Sequence, residues 1–233
     1  MGGRSWFVIV AAGRASRYGG PVPKPYLRIA GKTLLEHCLR LFASLPGFAG
    51  GAVVLASGDR RYERLPTALR RRVVAVAGGS SRAQSVLNGL QSLVTADPQD
   101  WVLVHDAARP AASRREVEAL IAACRRDAVG GLLALPVDDT VKEAGADGRS
   151  ARTLPRDRLW RALTPQMFRV GGLAQAIEEA LAAGVDPTDE AAAIERAGLR
   201  PKLVEGSPLN VKVTRPGDLA LAGAALRRTR RRR

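Results

Sequence analysis

Cysteine is scarce in this 233-residue chain: only Cys38 and Cys124 occur, too few for a disulfide framework or a zinc site. Each falls on the apolar face of a segment with helical spacing, and the pair points to a reduced, cytoplasmic setting. No apolar run approaches the ~18–20 residues needed to span a bilayer, so no membrane association is expected. The stretch from Trp6 to Ala12 has the character of a signal-peptide core. It is short, however, and runs into Gly13-Arg14 without a small-residue cleavage site, so an opening strand is expected instead. Lysine is also rare: five of the 37 Lys+Arg are lysines, at positions 24, 32, 142, 202 and 212, and 32 are arginines. A lysine is a compact, flexible point charge that a planar guanidinium cannot always replace. Those five positions are therefore worth following. Internal repeats are missing too.

What remains is an ordinary globular balance, 46% hydrophobic and 25% charged, which excludes wholesale disorder and suits one α/β domain. The net charge of +15 is partly terminal, because six arginines crowd positions 227–233 and the rest of the chain carries +9. Arginine runs bind nucleic acid or anionic surfaces without specificity. The plainer expectation is a single domain over 1–226, followed by a solvated, disordered Arg-rich tail over 227–233 with no specific nucleic-acid partner.

Five short apolar runs recur, at Phe7–Ala11, Ala52–Ala56, Val73–Ala77, Trp101–Val104 and Leu132–Leu135. Each is continuous rather than alternating, the pattern of parallel strands buried on both faces. Helical spacing lies between them. Thr33 with Glu36 makes a capping box ahead of Leu34, Leu35, Cys38, Leu39, Phe42 and Leu45. Ser81 with Gln84 opens a second helix, and Ser113 with Glu116 a third. Strands alternating with amphipathic helices predict an α/β fold, a doubly wound and mostly parallel Rossmann-like sheet. The rhythm breaks over residues 136–162, which read as a protruding hairpin-like arm; an excursion of this size usually serves binding or oligomerisation. Helical patterns return at Val170–Ala183 and Thr188–Ala197. A strand pair is expected at Pro201–Glu205 and Asn210–Thr214, and a last helix from Pro216.

Small residues after the first strand, Ala11-Ala12-Gly13, let backbone N–H groups approach a ligand, most often phosphate. The G-x-G-x-x-G spacing of a dinucleotide site is absent. Gly31-Lys32-Thr33 mimics the end of a P-loop, but Tyr26 stands where its first glycine belongs, so Lys32 reads as a turn residue. Arg17 and Lys24 flank the first loop and can lean over one polyphosphate. His105-Asp106-Ala107-Ala108-Arg109-Pro110 ends the fourth run, and carboxyl ends of parallel strands are where open α/β sheets bind ligands. Asp106 there can hold a divalent metal or a ribose hydroxyl, and Arg109 can pair with phosphate. A buried Asp–Arg pair tying the loop is the structural alternative. His105 reads as packing or loop hydrogen bonding, and His37 as structural. Gly78-Gly79-Ser80-Ser81 after the third run is either a tight turn or backbone able to read a base edge.

Taken in order, these pieces resemble the 2-C-methyl-D-erythritol 4-phosphate cytidylyltransferases of the non-mevalonate isoprenoid pathway. The resemblance rests on Ala11-Ala12-Gly13 with Arg17, Pro23-Lys24, Gly78-Gly79 with Arg82, Ser85-Val86 and Val104–Pro110. It continues through Pro136-Val137, Asp139-Thr140, Leu163-Thr164-Pro165-Gln166, Thr188-Asp189-Glu190 and Val211–Pro216. It covers nearly the whole chain except the tail. The resemblance implies in-line attack of the methylerythritol phosphate on the α-phosphorus of CTP, with pyrophosphate leaving and Mg²⁺ or another divalent cation required. Mg²⁺ would be held mainly by the CTP phosphates, with Asp106 as the candidate protein ligand. No covalent intermediate is needed, so catalysis reduces to positioning and charge neutralisation.

By the same resemblance Arg17 and Lys24 are transition-state stabilisers, and Lys212 contacts the reacting phosphates. Ala11, Ala12, Gly13, Gly79, Ser80, Ser85, Asp106 and Ala107 fall on the nucleotide site. Arg109, Thr140, Arg156, Thr164 and Lys212 fall on the sugar-phosphate site. Thr140 and Arg156 lie in the arm, which in this family reaches across to the partner of a homodimer. Two departures bear on the first loop: Ala15 stands where the family commonly has glycine, and Pro25 where it commonly has glutamine. A methyl group at a position needing φ > 0 costs roughly 1 kcal/mol, and proline removes an N–H. Two other readings compete with the cytidylyltransferase, namely a related enzyme acting on another polyol phosphate such as ribitol phosphate, and a nucleic-acid-binding module using the tail.

Overall fold

The computed structural model describes residues 3–13 and 22–230. Arg17, Ala15 and the last three arginines lie outside the described residues. All five apolar runs form strands. In chain order the elements are β1 (Ser5–Val10), a ribbon of β2 (Arg28–Ile29) and β3 (Lys32–Thr33), α1 (Leu34–Ala43), β4 (Phe48–Leu55), α2 (Thr67–Arg70), β5 (Val73–Ala77), α3 (Arg82–Gln91), β6 (Trp101–Asp106) and α4 (Arg114–Cys124). Then follow β7 (Gly130–Pro136), β8 (Val141–Ala144), β9 (Ser150–Leu154), β10 (Trp160–Arg169), α5 (Val170–Ala182), α6 (Glu190–Arg196), β11 (Lys202–Glu205) and α7 (Pro216–Arg230). The expected capping box of Thr33 with Glu36 is present, Ser113 with Glu116 forms another at the start of α4, and Ser81 caps α3 through the Gln84 N–H.

Seven strands form one sheet in the order β11-β7-β10-β6-β1-β4-β5. β1 lies between β4 and β6, parallel to both, so Val10 sits beside Val54 and Asp106 at the carboxyl end. Successive side chains leave opposite faces of a strand. Phe7, Ile9 and Leu103 accordingly join the core under α1 and α4, while Trp6, Val8, Val102 and Val104 join the one under α3, α5 and α6. Helices on both faces are the doubly wound arrangement that the pattern predicts. The two cysteines are buried on the core sides of α1 and α4.

Only the start of β10, Trp160–Ala162, falls in an extended segment the pattern predicts, around Arg158–Ala162; the rest of the strand is concealed. It runs antiparallel between β6 and β7, with its register shifted between Ala162 and Gln166. Pro165 stands inside that shift, where a missing N–H breaks no ladder bond. Three expectations need correction. β5 is partly or wholly exposed along its length, not buried on both faces, because it is the edge strand with β4 as its one neighbour. Residues 210–214 form no strand; their backbone is tied to loops instead, with Val213 N–H on Ala108 O at 2.8 Å and Thr214 N–H on Asp218 at 2.8 Å. Helix α7 also continues through Arg227–Arg230, past the boundary expected at 226. Ala222 in its middle packs with Ile29, Leu34 and Val213, and Leu219 and Leu226 lie against that cluster. The following alanine, leucine and arginine are good helix formers.

The arm is a two-stranded sheet of its own, β8 with β9, antiparallel from Val141–Leu154 to Ala144–Ser150. Nearly every residue in it is half-buried or exposed. Arg152 pairs with Glu143 across the ribbon, and Lys142 Nζ donates to Thr153 Oγ1 at 2.6 Å.

Candidate functional site

The carboxyl ends of β1 and β6 meet the loops that carry the expected residues. Ala11 N–H donates to Val54 O at 2.8 Å and Ala107 N–H to Val10 O at 3.0 Å, which fixes both loops to the strand ends. Gly78 lies against Ala12: a Cβ there would stand 2.4 Å from the Ala12 methyl and 3.0 Å from Ser85 Oγ. Glycine at 78 is thus required for the Ala11–Gly13 loop and the Gly78–Ser81 turn to touch. Ser85 Oγ closes the turn, accepting Gly79 N–H at 3.1 Å and donating to Ser81 O at 2.8 Å. Gly79 and Ser80 remain exposed beside it. Ala11, Ala12, Gly13, Gly79, Ser80, Ser85, Asp106 and Ala107 therefore line one region.

A chain of alternating charge crosses this region. Lys212 Nζ lies 2.7 Å from Asp106 Oδ2, and Arg82 Nη2 lies 3.0 Å from Asp106 Oδ1. On its far side Arg82 Nη1 donates to Glu190 Oε1 at 2.7 Å. Burial alone raises the pKa of Asp106, but Arg82 and Lys212 outweigh it and hold the carboxyl well below its ordinary range. Burial pushes Glu190 up, with Arg82 opposing. For Arg82 burial works against the charge, and the two carboxylates overcome it and keep the guanidinium protonated. The sequence motifs contain Arg82 and Glu190 but give neither a role. Buried partners brought together from α3, β6 and α6 leave no periodic signal to find.

Arg109 is held within the chain by backbone carbonyls. Its guanidinium is buried and donates to Asn210 O at 2.8 Å and Ala162 O at 3.4 Å. Asn210 Nδ2 in turn donates to Thr164 O at 2.9 Å. Arg109 thereby ties the β6 loop to β10 and to the segment that carries Lys212. His105, fully buried, places Nε2 3.0 Å from Arg109 O and Nδ1 3.0 Å from Thr164 Oγ1. Burial lowers its pKa to about 4. Thr164 Oγ1 also accepts the Asp106 N–H at 3.1 Å.

Lys24 opens a short 3₁₀ turn, Lys24–Tyr26, that ends the first loop. Pro25 takes an early position in that turn, where a missing N–H breaks no intrahelical bond, and Tyr26 anchors it by donating to Asp59 Oδ1 at 2.8 Å. Asp218 holds the neighbouring segment, accepting Arg215 and Thr214 N–H groups. These bonds lower its pKa, and the Lys24 charge lowers it further. The Lys24 charge thus acts on Asp218, in the segment that follows Lys212. Thr140 and Arg156 are not brought to the end of β6 by one chain. Both stand exposed at the base of the arm, with Arg156 donating to Asp138 O beside it.

Residues 6–228 match the model of the 2-C-methyl-D-erythritol 4-phosphate cytidylyltransferase family. The chain belongs to that family. A relative of the same name from Chromobacterium violaceum is 52% identical over 219 residues, spanning 94% of this chain and 96% of its own. One from Ectopseudomonas mendocina is 49% identical over 222 residues, 94% of each chain. Among solved structures, the cytidylyltransferase from Thermus thermophilus superposes with a TM-score of 0.78 at 33% identity, covering 97% of this chain and 99% of that one. A cavity of about 830 Å³ lies away from the β1–β6 strand ends, between α4, the turn at 205–209 and Arg228.

Proposed function

We infer that this chain transfers a cytidylyl group from CTP to 2-C-methyl-D-erythritol 4-phosphate, releasing pyrophosphate, as a nucleotidyltransferase of isoprenoid precursor biosynthesis. The observation that carries the site assignment is the Lys212–Asp106 contact at the end of β6. In the reaction a phosphate oxygen of the methylerythritol phosphate bonds to the α-phosphorus of CTP while the bond to the pyrophosphate oxygen breaks. Lys24 and Arg17 hold the triphosphate and offset charge gathering on the leaving group. Lys212, 44% exposed at its side chain, exchanges Asp106 for the reacting phosphates. The turn at Gly79–Ser80 receives the base. With Gly79 N–H spent on Ser85, its carbonyl is the acceptor that a cytosine amino group needs. Asp106 and Ala107, with Ala11–Gly13, hold the ribose and phosphates, while Arg109 and Thr164 shape the polyol side.

Mg²⁺ fits these residues as a nucleotide-borne ion. Mg²⁺ commonly uses one carboxylate plus substrate phosphates, and the ionised Asp106 carboxylate stands at the end of β6. Asp106 is the residue that would hold it. When bound, the ion neutralises phosphate charge and polarises the α-phosphorus.

The active form in this reading is a homodimer in which Thr140 and Arg156 on one arm complete the partner's polyol-phosphate site. Support comes from an exposed ribbon with no core of its own, since two strands alone are marginal in water. A cytoplasmic location agrees with two buried, free cysteines; no helix among the described residues is long and apolar enough to cross a membrane. The ribitol phosphate reading is not favoured, because family model and relatives share the methylerythritol name. The test pairs each NTP with each polyol phosphate. Pyrophosphate release is expected with CTP, methylerythritol phosphate and Mg²⁺ together, and chelation should abolish it. Preference for ribitol phosphate would overturn the assignment.

A further inference from the structure

Thr164 Oγ1 and His105 share one hydrogen-bond chain, and its polarity can be worked out atom by atom. His105 Nε2 faces Arg109 O at 3.0 Å. A carbonyl only accepts, so Nε2 carries a proton. The ring is fully buried, and its two nitrogens meet a carbonyl and a hydroxyl, neither of them an anion. A neutral imidazole has one N–H, which leaves Nδ1 bare and able only to accept. The Thr164 hydroxyl, 3.0 Å away, must then donate to it. That hydroxyl simultaneously accepts the Asp106 N–H at 3.1 Å. The order is therefore Asp106 N–H to Thr164 Oγ1, Thr164 O–H to His105 Nδ1, and His105 Nε2–H to Arg109 O.

We propose that His105 is a positioning residue: through the tautomer fixed by Arg109 O it commits the Thr164 hydroxyl proton inward, so that Thr164 holds the Asp106 backbone in place and offers no donor to the substrate phosphate. The chain joins both ends of the β6 loop. It anchors Asp106, whose carboxylate carries Lys212 and Arg82, to Arg109, whose guanidinium carries Asn210. A hydroxyl with one donor and two acceptor positions has a single acceptor left after these two bonds. Phosphate recognition on this side then rests on cations, not on Thr164. The catalytic consequence rests on the cytidylyl-transfer reading, whereas the bonding order is read without substrate.

Nitrogen-15 NMR of the full-length protein, labelled at histidine, tests the order directly, because His37 and His105 are the only histidines and a His37→Gln variant assigns the pair. The expected spectrum has His105 protonated at Nε2 and bare at Nδ1 at neutral pH. An Nδ1–H tautomer or a doubly protonated ring would overturn the proposal. Thr164→Val, which keeps the shape and removes the hydroxyl, should shift the Nδ1 resonance. It should lower kcat on the order of tenfold, with KM for CTP within about twofold, and Thr164→Ser should recover most of kcat. An unshifted Nδ1, an unchanged kcat, or a serine variant as impaired as the valine would each overturn it. A wild-type protein that turns over no CTP would instead defeat the reaction assignment, and the tautomer would still be read.

Discussion

The charged cluster at the end of β6 and the ribbon β8–β9 handle polar groups in opposite ways. In the cluster every charge has a partner within the same chain: Lys212 on Asp106, Asp106 on Arg82, Arg82 on Glu190. Glu190 is only 1% exposed at its side chain, and that burial is sustainable because Arg82 meets it. In the arm the Arg152–Glu143 pair is 69% and 46% exposed, and Thr140 and Arg156 face solvent. The difference separates what one chain finishes from what it leaves open. The cluster is a closed set of ion pairs within one chain. In the proposed reading it is set for phosphate, and the arm's Thr140 and Arg156 act on the partner's site.

The largest effect is expected at the two cations that the proposed reaction assigns to the triphosphate. Lys24→Ala and Arg17→Ala should each lower turnover by ~10²–10³-fold, the ~2.7–4 kcal/mol expected for a charge aimed at a developing oxyanion. Turnover and kcat/KM should fall together; a pure rise in KM for CTP would make both residues ground-state binders. Next in size is Glu190→Ala, which strands the Arg82 guanidinium. A loss of roughly 3 kcal/mol in denaturant unfolding is expected, the low end for a broken buried pair, because Arg82 keeps Asp106 and a 25% exposed side chain. No loss of stability would mean that the cluster tolerates unpaired charge as the arm does. Glu143→Ala on the arm should cost less than ~1 kcal/mol, as exposed pairs do. The smallest effect is expected from truncation after Leu226. Turnover should stay within a fewfold and non-specific DNA retention should fall; lost activity would show that the end of α7 supports the site.

The same contrast explains how far the sequence could be read. Continuous apolar runs and the caps at Thr33, Ser81 and Ser113 are local signals, and they located the parallel strands and the first helices. Beyond Ala162, β10 escapes because Pro165 interrupts it and because its antiparallel insertion between β6 and β7 is a tertiary event. Residues 210–214 carry a strand-like pattern, yet their hydrogen bonds go to Ala108, Thr164 and Asp218. For the site, Lys24, Asp106 and Lys212 stood out as motif residues. Glu190 lies in a motif that gives it no role and Asn210 lies in none, since their importance is in being buried against Arg82 and Arg109. His105 was legible as a loop-bonding residue, while the direction of its bonds required the carbonyl opposite Nε2.

A complementation experiment tests most directly whether the arm acts on the partner. Lys24→Ala and Arg156→Ala should each be nearly inactive alone, and Arg156→Ala should fold with unchanged stability. In a mixed dimer one composite site carries both lesions and the other carries neither. Co-refolding equal amounts should therefore restore up to roughly a quarter of wild-type activity, because half the dimers are mixed and each has one intact site. Light scattering should report a dimer. If the arm served its own subunit, every site would hold one lesion, and the mixture would be no more active than its parts.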